Sequence, residues 1–183
     1  MSDSEPDVSS LEQITMTKND MERQLADFDQ AVASAVQPDE CWKALQNLTA
    51  AIAGFKLFTV MTVDLANGVA RRAYSSHPAD YPVSGTKPIH YDSWFEIVHK
   101  QHKSFAANTI SDIAKVFPDH EKIWSLGCGS VVNLPVIIEG QLAATINMLH
   151  EEHYYNPVRV ELIERHLSVP AKRACLAALA GRG

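Results

Sequence analysis

A chain of 183 residues with 46% hydrophobic and 21% charged side chains can bury one core of ordinary size and leaves little for a second. Its net charge of -6 and pI near 5.7, with no local run of Lys and Arg, work against phosphate backbones and anionic lipid, so neither nucleic acid nor a membrane surface is an expected partner. No stretch nears the roughly 20 apolar residues of a bilayer span, and the N-terminus is acidic and Ser-rich rather than basic then apolar, so a cytoplasmic location is expected.

Residues 1–17 hold few large apolar side chains, too few to offset the entropy of ordering, and predict a flexible tail ahead of one domain over 18–183. Thr17 with Asp20 has the form of a capping box, and Met21, Leu25, Phe28, Val32 and Val36 recur at helical spacing, which predicts a helix over roughly 18–36. Pro38 and Asp39 restart the chain. Cys41, Leu45, Leu48 and Ile52 then form a second stripe that stops at Gly54, a helix-ending residue.

Two β-rich runs follow, Leu57 to Asp64 and Val69 to Ser76, separated at Asn67-Gly68, the dipeptide best suited to a tight hairpin turn. With Asn67 and Gly68 as the two central turn residues, Asp64 lies opposite Arg71 and Met61 opposite Tyr74, which gives Arg71 a local ion-pair partner. Over 77–91, Pro78, Pro82, Gly85 and Pro88 exclude a long regular element and predict a structured loop. Trp94, Phe95 and Val98 predict a short helix, and Ser111 to Trp124 predicts one or two more, broken at Pro118.

Gly127 and Gly129 introduce a second hairpin, Ser130 to Ile138 and Gln141 to His150, reversed at Glu139-Gly140. Asn156 caps a closing helix with Pro157 at its first position and Val160, Ile163, Leu167 and Ala174 at helical spacing to about Ala180. Pro170 should bend it.

The stretch SLGCGSVVNLPVIIEGQLAATINMLH, with Leu126, Gly127, Ser130, Pro135, Gly140, Ile146, Asn147 and His150 at the marking positions, resembles the GAF family, and the order of elements agrees over roughly 20–181. The resemblance implies an α/β (α+β) fold: an antiparallel β-sheet of five to six strands, terminal helices on one face, and a connector-covered pocket on the other. The rival is the PAS fold; two leading helices, the late glycine-turn hairpin and the helical end favour GAF. The Asn-Lys-x-x-x-Phe-x-x-x-Asp-Glu signature of cyclic-nucleotide binders is missing, and no cysteine lies between Cys41 and Cys128 to attach a bilin. No kinase, phosphodiesterase, helix-turn-helix or ATPase module accompanies the domain, so a signal is expected to leave through an effector protein or through a homodimer formed by the terminal helices.

Alternation in the second hairpin puts Val132, Leu134, Val136, Ala144, Ile146 and Met148 on one face and Asn133, Thr145 and Asn147 on the other, which is assigned to the pocket. These polar groups either meet a ligand or hydrogen-bond to the connector. Tyr74, Ser76, Lys87, Tyr91 and Trp94 flank the roofing loop with aromatic and polar tips suited to a small ligand, although Trp94 equally reads as core. Lys87 is either a solvated loop lysine or a cation that would favour a small carboxylate or other anion.

Cys128, between two glycines at the pocket's edge, completes the candidate set as an exposed thiol or a small buried residue. The resemblance extends to free methionine sulfoxide reductases, which use clustered cysteines, whereas Cys41 and Cys175 are predicted on the opposite face. None of the eight histidines forms a recognisable metal-ligand set; His99 and His102, one turn apart, would need a third ligand. No metal or cofactor is expected. The leading function is a small-molecule-binding sensory or regulatory module; the alternatives are a small enzyme acting on a polar or anionic substrate in the same pocket, and a pocketless dimerisation scaffold.

Overall fold

Six strands make one antiparallel sheet in the spatial order β3-β2-β1-β6-β5-β4: β1 (Leu57–Asp64), β2 (Val69–Ser75), β3 (Thr86–Pro88), β4 (Phe105–Ala107), β5 (Ser130–Ile138) and β6 (Gln141–His150). The computed structural model describes residues 16–83 and 85–181, so the predicted tail lies outside them except at Met16, which packs on the core, and Thr17. Thr17 Oγ1 accepts from the Asp20 amide at 3.1 Å and caps α1 (Lys18–Ser34).

α1, α2 (Pro38–Ile52) and the closing helix α6 (Pro157–Ala180) cover one face of the sheet. The apolar stripes read from spacing meet there: Phe28, Leu45, Leu48, Ile163 and Leu167 pack on Phe58, Val60, Leu134, Ile146 and Met148, with Trp42 wholly enclosed. Burying each such side chain contributes on the order of 1.5–3 kcal/mol. Pro170 is buried within an uninterrupted α6. Gly54, at a φ of +75°, ends α2, and the Tyr154 and Tyr155 hydroxyls donate to Ala53 O and Gly54 O at 2.8 and 2.9 Å, tying the start of α6 to the end of α2.

The first hairpin departs from the predicted register. Asp64 pairs with Val69 across a four-residue turn, because its carboxylate accepts from the Asn67 amide and side chain at 3.1 and 2.7 Å and holds the turn open. A bulge between Val60 and Met61 adds a second shift. Arg71 therefore lies opposite Thr62 rather than Asp64, Tyr74 opposite Val60, and Arg72 opposite Met61.

The second hairpin follows its predicted bounds, turning at Glu139 and Gly140, both at positive φ. Pro135 sits on the part of β5 that the short β4 does not cover, a position where a missing backbone donor is tolerated. The edge strands β3 and β4 bring the sheet to the six strands that the resemblance implies, but their positions were not legible, because at three residues each they carry no alternation.

The connector crosses the second face through β3, α3 (Ser93–Phe95) with its π-helical continuation 96–100, β4, α4 (Ile110–Ala114) and α5 (His120–Ser125). A smaller core of Leu57, Tyr81, Ile113, Ile123, Cys128, Val131 and Leu149 anchors it to the sheet.

Candidate functional site

Between the connector and the second face lies a cavity of about 310 Å³. Its floor is built from cross-strand rows, because residues paired in antiparallel strands point to the same side. One row joins Thr59, Asn147 and Asn133; the next joins Arg72, Met61 and Thr145. The walls are mostly apolar, with Phe95, Phe117, Ile123 and Leu142 among them, and Asp92, His90 and Lys87 stand on the connector side.

The polar floor is wired in one direction. Trp94 Nε1 donates to Asn133 Oδ1 at 2.9 Å, Asn133 Nδ2 to Asn147 Oδ1 at 2.7 Å, and Asn147 Nδ2 to Thr59 Oγ1 at 3.2 Å. This chain fixes both amide orientations and leaves each amide a second N–H. The Thr145 hydroxyl, on a residue 1% exposed, has no partner among the described residues. A buried hydroxyl without a partner costs about 1–3 kcal/mol, which a ligand group would recover.

Arg72 brings a cation to the cavity wall. Its guanidinium lies 4.1 Å above the Tyr81 ring, Nη1 donates to Pro82 O at 3.1 Å, and Nε is buried without a partner among the described residues. Burial draws its pKa below the ordinary arginine value, and the nearby Asp119 carboxylate offsets part of this. Asp119 itself accepts a hydrogen bond from the Tyr81 hydroxyl.

Of the nine residues singled out from sequence, Lys87, Trp94, Asn133, Thr145 and Asn147 border this cavity. Lys87 is exposed at its mouth. The other four lie elsewhere. Tyr74 turns to the helix face and donates to Gln46 Oε1 at 2.7 Å, a consequence of the hairpin register. Ser76 is spent on the strand backbone, accepting from Phe58 N at 3.0 Å. Tyr91, 72% exposed, makes an edge contact with Phe95 outside the cavity.

Cys128 is enclosed in the smaller core, where burial raises its thiol pKa and Lys56 only partly opposes the shift. Cys41 and Cys175 lie in the helix-side core, with the sheet between them and Cys128, and all three are free thiols. Among the described residues no group of three His, Cys, Asp or Glu could hold a metal, and His99 packs on the Phe95 ring.

Solved structures share this architecture. The GAF domain of a phosphoenolpyruvate-protein phosphotransferase from Coxiella burnetii superposes with a TM-score of 0.66 at 14% identity, over 88% of this chain and 94% of that one. The fold is that of GAF domains. The GAF domain of a two-component sensor histidine kinase from Bacillus halodurans aligns at a TM-score of 0.61 and 12% identity, covering 81% of this chain and all of that one. A free methionine-R-sulfoxide reductase from Neisseria meningitidis, solved with its substrate, aligns at 0.62 and 12% identity, covering 91% and 96%. No protein-family model matches the sequence, and no curated protein matches it. The GAF likeness therefore rests on structure.

Sequence reasoning missed Arg72, Thr59, Met61 and Asp119, which also line the cavity. Arg72 was within reach: a four-residue turn closed by Asp64 pairs it with Met61 on the face of Thr145.

Proposed function

We propose that this GAF domain binds a small organic molecule in the cavity and serves as a cytoplasmic sensory or regulatory module without catalysing a reaction. The observation that carries this reading is the buried, unpartnered Thr145 hydroxyl beside an ordered amide chain in an apolar cavity, the composition of a specific small-molecule site. Asn133, Thr145, Asn147 and Trp94 would orient the ligand, and Lys87 at the mouth would add a screened attraction for an anion. The sensor kinase among the structural neighbours supports the regulatory role by its fold. The signal would pass to an effector protein or across a homodimer.

The binding reading is favoured over an enzyme with a thiol nucleophile because Cys128, the cysteine on the connector side of the sheet, is enclosed with a raised pKa. Titrating isotope-labelled protein with neutral aromatic fragments such as indole should shift the amide resonances of Thr59, Thr145 and Asn147 and the Trp94 indole N–H. Shifts confined to exposed loops, with these four unmoved, would contradict ligand entry.

A further inference from the structure

Granting a ligand in the cavity, we infer that it is a small organic carboxylate whose anionic group is held by Arg72. The guanidinium is already positioned: Tyr81, itself 8% exposed, supports one face, and Pro82 O fixes Nη1. Among the described residues nothing meets the buried Nε–H. A planar carboxylate matches the guanidinium fork and would satisfy that N–H with a charge-assisted bond.

The neighbouring acid does not already do this. Asp119 is engaged by Tyr81 Oη–H and makes no salt bridge to Arg72 among the described residues, so the arginine charge is only partly balanced. Asp119 and Asp92 on the walls count against a dianion such as a phosphate. A single negative charge on an apolar body suits Met61, Val63 and Leu142 around it.

Thr145 sets a second requirement. Arg72 and Thr145 flank Met61 in one cross-strand row, so their backbones stand about 10 Å apart, two strand spacings. The ligand class is thus an acid with an apolar middle and a second hydrogen-bonding group, a hydroxyl, keto or amide, reaching the Thr145 hydroxyl.

The test compares 3-(4-hydroxyphenyl)propionate with its primary amide by calorimetry, and with indole by amide shifts, on the whole chain. The acid is expected to bind about tenfold to a hundredfold tighter than the amide. Arg72→Met should abolish that preference, Arg72→Lys should keep part of it, and Arg71→Gln, on the exposed neighbour, should leave it intact. If Arg72→Met fails to fold, Arg72→Lys and the acid-to-amide ratio in the unaltered protein decide. Equal binding of acid and amide, or a preference that survives Arg72→Met, overturns the inference while indole shifts at Thr59 and Thr145 leave cavity binding standing. Failure of acid, amide and indole alike to shift those residues overturns both.

Discussion

His150 closes β6 with its ring stacked on Tyr154, centroids 3.5 Å apart, while Arg159 lies over that tyrosine at 4.1 Å. Its Nδ1 accepts the Glu151 amide proton at 2.9 Å, which only a neutral ring with the proton on Nε2 can do. Burial lowers the His150 pKa first; Lys56 and Arg159 reinforce the shift and Glu151 opposes it. With the folded value below the unfolded one near 6.5, the contribution is complete above about pH 6.5 and is lost as pH falls through the folded value. His150→Asn keeps an acceptor for the Glu151 amide and removes the titration. Its unfolding free energy should decline less steeply between pH 7 and pH 5 than the parent's, and parallel declines would contradict this. At this scale sequence reading was uneven. Asn133, Thr145 and Asn147 were legible because strand alternation sorts faces without any knowledge of register. Tyr74 was misplaced because its face depended on a bulge that no residue type marks, whereas Arg72 shares the face of Met61 in the predicted and the observed register alike, since the turn that Asp64 widened moved the pairing by two residues.

The helices were legible as elements because caps and stripes agree: Thr17, Asn156 and Pro157 mark starts, Gly54 marks an end, and the buried residues fall at the predicted spacing. Both long hairpins were legible for the same reason, since their turn dipeptides sit between alternating runs. The connector was not. Its short pieces owe their form to tertiary contacts, as when Glu152 Oε1 accepts from the Ile110 amide at 3.0 Å and steadies the start of α4 from 42 residues away. That is also why Cys128 could not be placed: whether its sulfur faces solvent or core is decided by how α4 and α5 fold over the sheet.

The whole molecule sets two cores on either side of one sheet, a continuous one under the helices and a smaller one that leaves a cavity beside it. Among the described residues no helix is long and apolar enough to cross a membrane. Val158, Val169, Leu176 and Leu179 remain exposed on α6, and Val36 is exposed just after α1. We propose that these residues meet their copies in a homodimer through the terminal helices, where burying them would contribute the apolar area that the single chain leaves in water. Light scattering at micromolar concentration should give a mass near 40 kDa, twice the 20.2 kDa chain, and a monomer mass would contradict the dimer.

The most direct test of ligand binding is native mass spectrometry on freshly purified protein, before and after incubation with a deproteinised cell extract. Thr145→Phe, which fills the cavity floor, is measured beside the parent after its fold is checked by circular dichroism. The parent should carry a noncovalent small molecule that is released on denaturation, and Thr145→Phe should carry none. A parent that stays free of any adduct in both samples, or an adduct held equally by the filled variant, would contradict a ligand site in this cavity.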